Sequence, residues 1–126
     1  AAAAALLPLL RSEDAQLRNG AIEALAAMPQ AVAPRIGGLL HDSDVDVRIF
    51  TVNLLGVLRH AQVVAWLLQV LAHDADVNVV AAAVEVLAEV GSPAHADALQ
   101  AARARFAGDD FIGFAIDMAL ERVQAA

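Results

Sequence analysis

The chain contains no cysteine, no tyrosine and no lysine, and only one tryptophan and four phenylalanines among 126 residues. Without cysteine there is no disulfide framework, no thiolate metal site and no thiol nucleophile. Without lysine, all eight basic residues are arginine, the usage of a GC-rich, bacterial coding genome. Fifteen acidic residues outweigh them, giving a net charge of -7 and an isoelectric point near 4.8. Nucleic-acid binding is therefore not expected, because phosphate neutralisation needs a basic patch. Long apolar runs are also missing. A membrane span needs roughly 20 apolar residues, and the longest candidate, Ala61 to Ala72, is interrupted by Gln62 and Gln69. The opening AAAAALLPLL has neither the charged start nor the cleavage site of a signal peptide, so a processed chain or a piece of a longer one, cytoplasmic, is expected.

What is present is alanine, leucine and valine: 60% of the residues are apolar and only 4% aromatic. The mean hydropathy of +0.59 then describes closely packed helices, since alanine and leucine are strong helix formers. Acidic turns punctuate the chain at Ser12-Glu13-Asp14, Asp42-Ser43-Asp44, Asp74-Ala75-Asp76 and Gly108-Asp109-Asp110. Each supplies a side-chain oxygen to cap the helix that follows. Eight helices are predicted: the alanine run to Arg11, Ala15 to Met28, Gln30 to Leu40, the turn aspartates to Arg59, His60 to Ala72, Asp76 to Gly91, Ser92 to Phe106, and Phe111 to Gln124. Pro29 should stop the second, and Pro34, Gly37 and Gly38 should leave the third kinked or ragged. Gly91 suits a left-handed helix end.

Paired, these helices recur. Leu9 to Met28, Leu39 to Leu58 and Val70 to Val90 carry one pattern at intervals of 30 and then 32 residues, the mark of a stacked repeat. The second helices align in columns: Leu17, Val47, Val79 and Phe111; Ala21, Thr51, Ala83 and Ala115; Leu25, Leu55, Leu87 and Ala119. In the central copy Val47, Thr51, Leu54, Leu55 and Leu58 form one helical face, and Val45, Val52 and Gly56 lie on another side. A helix buried on two sides belongs inside a stack. One domain over 1–126 is expected, with repeats at about 1–28, 30–59, 60–91 and 92–124.

The leucine pair, the turn aspartate and the aliphatic-arginine step resemble the HEAT repeat, including its short variant in phycobilin-lyase-related proteins. They read Leu39-Leu40, Asp44, Val47-Arg48 and Leu54-Leu55, preceded by Leu9-Leu10, Asp14, Leu17-Arg18 and Leu25. The third copy keeps Asp74, Asp76 and Val79 but has Val80 at the arginine position, and the fourth has Ile112 there. The resemblance implies an all-α, right-handed superhelix of four HEAT-like helix pairs. It also implies a structural ladder of Asp14, Asp44 and Asp76 with Arg18 and Arg48, and protein binding along a concave side lined by the second helices.

Helical angles place Asp46, Asn53 and Val57, flanked by Ile49 and Phe50, on that concave side. Their equivalents are Gln16 and Glu23, then Asn78, Glu85 and Glu89, then Asp110, Asp117 and Glu121. The stripe is acidic toward the C-terminus, with an apolar window at Ile49, Phe50 and Val57. It suits a basic or amphipathic helical segment of a partner protein, although a solvated helix face accounts for acidic residues equally well. The chain is expected to be a monomer or a weak homodimer.

Catalytic chemistry finds little footing. His41 and His73 recur at helix ends, where a cation is favoured, and no ligand set converges on them. The HEAT-like hydroxylases bind iron through His-Glu dipeptides, and none occurs here. Ser12, Ser43 and Ser92 sit in turns, where capping explains them. Gly37-Gly38 lacks the lysine of a phosphate loop. HEAT-like DNA glycosylases present a basic face, opposite in sign to this one. The expected function is a non-catalytic interaction scaffold without cofactor or metal. The alternative is a lyase-type or enzyme-associated subunit or chaperone for a chromophore-carrying protein.

Overall fold

The computed structural model describes residues 2–125. Eight α-helices appear among them: α1 (Ala2–Leu6), α2 (Ala15–Ala26), α3 (Pro29–Leu40), α4 (Val45–Leu55), α5 (Val63–His73), α6 (Val77–Val90), α7 (Ala96–Arg105) and α8 (Asp110–Ala125). Tight 3-10 turns at Leu7–Arg11 and Pro93–His95 prolong α1 and precede α7. The helices fall into two compact units, divided between Val63 and Val64. In the first, α1 packs on α2, α3 on α4, and α2 on α4; in the second, α7 packs on α8 and α6 on α8. Sequential pairing with second helix against second helix is the architecture of an α-solenoid repeat.

The turns show how the sequence sets the helix starts. Asp14, Asp44 and Asp76 are N-caps: their carboxylates accept the amides of Gln16 and Leu17, of Asp46, and of Asn78 and Val79. Two residues before each cap, Ser12, Asp42 and Asp74 accept the cap residue's own amide at 3.1, 2.9 and 2.9 Å. The spacing thus carries two functions, a turn made by the first side chain and a helix start made by the second. Each cap supports its helix by about 1 kcal/mol.

The core lies on the columns of the central copy. Val47, Thr51, Leu54, Leu55 and Leu58 are all buried, and the Thr51 hydroxyl is satisfied by donating to the Val47 carbonyl at 2.7 Å. In α5 the buried set is Val63, Leu67, Val70 and Leu71; in α6 it is Val79, Val80, Ala83, Val84 and Leu87. Each fully buried aliphatic side chain contributes roughly 1.5–3 kcal/mol of transfer free energy.

Several boundaries differ from the sequence reading. The fourth helix ends at Leu55, not Arg59, because the Gly56 amide is shared between the carbonyls of Val52 and Asn53 and the chain tightens into a turn. The fifth begins at Val63 rather than His60. The third runs unbroken through Pro34, whose exposure leaves the carbonyl it fails to bond within reach of water. Gly91 is extended, at φ -77 and ψ 173, not left-handed. Space, not handedness, accounts for it: a β-carbon there would lie 2.6 Å from the Leu87 carbonyl oxygen and 3.0 Å from a Val123 methyl.

The largest correction concerns α8. The buried residues are Ile112, Ile116, Ala119, Leu120 and Val123, the same spacing as Val47, Thr51, Leu54, Leu55 and Leu58. Asp109 is the capping residue, accepting the Ile112 amide at 3.0 Å, as Asp76 accepts that of Val79 at 3.3 Å. The columns of Phe111, Ala115 and Ala119 therefore belong one residue later, at Ile112, Ile116 and Leu120. Gly113, not Ile112, holds the arginine position. Phe111 is turned out and 69% exposed.

Candidate functional site

The side of each second helix turned away from its core can be followed residue by residue. On α4, Asp46 and Asn53 are exposed and Ile49 and Phe50 half-buried. Val57 is 56% exposed but lies in the turn beyond the helix. Phe50 is not an open anchor, because the guanidinium of Arg18 on α2 sits 3.9 Å over its ring. The Arg18 Nη1 donates to the Ser12 carbonyl at 2.8 Å, while its buried Nε has no hydrogen-bond partner. The Phe50 part of the predicted apolar window is therefore covered by an arginine from the neighbouring repeat. In the first repeat Gln16 and Glu23 are exposed, and so is Leu17, at 49%.

In the second unit the acidic residues are open. Asn78, Glu85 and Glu89 on α6 are exposed although α8 packs against that helix. Asp110, Asp117 and Glu121 on α8 are exposed as well. With the register of α8 corrected, however, these three are not the counterparts of Asp46, Asn53 and Val57. Those columns hold Phe111, Met118 and Arg122, and the column of Ile49 holds Phe114. Phe111, Phe114 and Met118 are 69%, 66% and 48% exposed. Asp117 pairs with Arg103 of α7 at 2.6 Å, both side chains about half exposed. Between α7 and α8 an open depression of about 550 Å³ is walled by Phe106 and Phe114, with Arg103, Asp110 and Asp117 around it.

Of the residues assigned to a structural ladder, Asp14, Asp44 and Asp76 lie in the turns, and Arg18 and Arg48 near the starts of α2 and α4. Arg18 and Arg48 make one and the same bond, each donating to the carbonyl six residues earlier, Ser12 and Asp42, at 2.8 Å. Asp14, Asp44 and Asp76 cap their own helices. Besides Arg18 over Phe50, two arginines that the sequence did not single out reach from one repeat to another. Arg11 forms a two-pronged pair with Asp42, one prong at 3.3 Å. The hydrogen bond from Arg11, joined by the Asp44 amide, holds the Asp42 carboxyl below the usual carboxylate range.

Arg105 of α7 donates to the carbonyls of Leu71 and, at 2.7 Å, Asp74. The Asp74 carbonyl is the equivalent of Ser12 and Asp42. Where Val80 replaces the in-repeat arginine, the following repeat supplies the guanidinium instead. The signal was available, in that a missing arginine in one copy leaves its carbonyl in need of a donor.

Three histidines make local bonds, His60 Nδ1 accepting the Gln62 amide at 3.1 Å. His41 Nδ1 lies 2.8 Å from the Gly37 carbonyl, and His95 Nδ1 accepts the Ser92 amide at 2.9 Å. Among the described residues no three histidine, aspartate or glutamate side chains gather as a metal site. Nor is any helix among them long and apolar enough to cross a membrane.

Capped helix pairs, repeat-equivalent arginine bonds and second helices packed on one another define an α-solenoid repeat protein. A family model described as HEAT repeats matches residues 32–111, well over half of the chain, and the chain belongs to the HEAT repeat family. Neither the curated proteins nor the solved structures compared with it give a match. HEAT repeats serve in general as protein-interaction scaffolds.

Proposed function

We propose that this chain is a non-catalytic scaffold that binds a basic, amphipathic segment of a partner protein along the acidic side of α6 and α8. The observation that carries the reading is the exposure of Asn78, Glu85 and Glu89 on a helix already packed against its neighbour. A stacked repeat leaves this side open, so it is free for a ligand. Acidic residues there attract a basic segment, and their effect should fall with added salt.

The test uses fluorescence anisotropy with a helical leucine–lysine peptide and its leucine–glutamate counterpart. The lysine peptide should bind and the glutamate peptide should not. Glu85→Arg/Glu89→Arg should weaken the lysine peptide by about tenfold, the equivalent of roughly 1.4 kcal/mol. Unchanged affinity in that variant would remove the acidic side from the account.

A further inference from the structure

We infer that Phe111, Phe114 and Met118 on α8 are the seat for the apolar edge of a partner's amphipathic helix, whose basic edge lies along Asp110 and Glu121. The inference rests on the acidic-side reading above and says where on it the apolar contacts are made. The three side chains stand at i, i+3 and i+7, one line along a helix. They are three of the six large apolar residues exposed among the described residues, and the only three of these six that share one helix. None is needed for the core, which α8 builds from Ile112, Ile116, Ala119, Leu120 and Val123. Contiguous apolar side chains rimmed by charge mark an interaction site.

Two other occupants fit less well. A further repeat stacked on α8 would occupy the side that α8 itself occupies on α6. Yet α6, with α8 against it, still exposes Asn78 and Glu85, the column-mates of Phe111 and Met118. Stacking would thus leave two of the three residues uncovered. A second copy of the chain would meet this patch by two-fold symmetry, patch against patch. An antiparallel pair of α8 helices about that axis sets Asp110 and Glu121 beside their own equivalents, Asp117 being already paired with Arg103, in a chain of net charge -7. Like charges at an interface are a cost.

A helix carrying leucine or phenylalanine at matching spacing and lysine or arginine on one edge satisfies both parts of the surface. The depression between α7 and α8 widens the seat. Phe114 lines it together with Phe106 and Gly113.

Three peptides of equal length separate the alternatives: a leucine–lysine amphipathic helix, a scrambled isomer of the same composition, and a leucine–glutamate amphipathic helix. Wild type should prefer the first over the scrambled isomer by about tenfold or more, the effect of a few apolar anchors. Phe111→Ser/Phe114→Ser/Met118→Ser changes only exposed positions and should abolish that preference, leaving weak, salt-sensitive binding of both lysine peptides. If the triple variant keeps the preference, the stripe is not the seat. The acidic-side reading would then still stand if Glu85→Arg/Glu89→Arg weakens both lysine peptides. If wild type binds neither lysine peptide better than the glutamate one, both readings fall. If wild type sediments as a dimer that the triple variant dissolves, a second copy covers the stripe and the inference is overturned.

Discussion

Arg105 offers the sharpest test of how the repeats are joined. Its guanidinium donates to the carbonyls of Leu71 and Asp74 at the end of α5, and its head also lies 4.9 Å from the centre of the Phe106 ring. The last carbonyls of a helix lack intrahelical donors, and they carry the negative end of the helix dipole. A charged donor to such groups contributes roughly 1.5–3 kcal/mol per bond when sheltered. Arg105 is itself exposed, so water can replace part of what is lost, and Arg105→Ala should cost about 1–2 kcal/mol in total.

Urea unfolding followed by far-UV circular dichroism would register this as a lower midpoint with an unchanged slope. Arg105→Lys should lie between, because one ammonium cannot reproduce the two-pronged geometry of a guanidinium. Arg35→Ala, an exposed arginine on α3, is the control and should stay within about 0.5 kcal/mol of wild type. If Arg105→Ala is no more destabilising than Arg35→Ala, the substitution of a neighbouring-repeat arginine for the missing one is not a stabilising device.

The register of α8 predicts that Asp109→Ala costs about 1 kcal/mol, as the loss of an N-cap does, whereas Asp110→Ala costs a few tenths; equal effects in chemical denaturation would contradict the placement of the cap. Gly91→Ala should destabilise by roughly 1–3 kcal/mol through overpacking against the Leu87 carbonyl and Val123, while Gly20→Ala, where a β-carbon meets nothing within 4 Å, should stabilise α2 by roughly 0.5–1 kcal/mol. Thermal melting of the two glycine variants should therefore move in opposite directions.

The all-α architecture, the helix count and the pairing were legible because they rest on local chemistry. Aspartates at cap positions and apolar residues at helical spacing act within a few residues of one another, and Asp14, Asp44 and Asp76 cap as their sequence context requires. Less legible were features that depend on through-space partners. Phe50 looked like an open apolar residue, and only the approach of Arg18 from α2 closes it. Gly91 at a helix end suggested a left-handed turn, and only the position of Val123, far along the chain, shows that the constraint is room. The bonds that Arg11 and Arg105 make from one repeat to another likewise lie outside any motif, and only the fold brings their partners within reach.

The register of α8 belongs to a different class, because the sequence held enough to settle it. From Val79 to Ile112 is 33 residues, one more than from Val47 to Val79. With that residue admitted, the column Leu25, Leu55, Leu87 continues as Leu120 instead of breaking at Ala119. One residue is about 100° of helix, so the slip exchanges a core position for a surface one and changes what the surface offers. Under the earlier register the fourth repeat continued the acidic line of α6; under the observed one its equivalent positions are Phe111, Phe114 and Met118, with acids alongside. Charge steers a partner and sets its orientation, while affinity concentrates in a few buried apolar contacts. An acidic α6 beside an apolar α8 divides those two tasks between adjacent helices of one unit. Charge-reversal on α6 should therefore act mainly on the association rate and its salt dependence, and truncation on α8 mainly on the rate of dissociation.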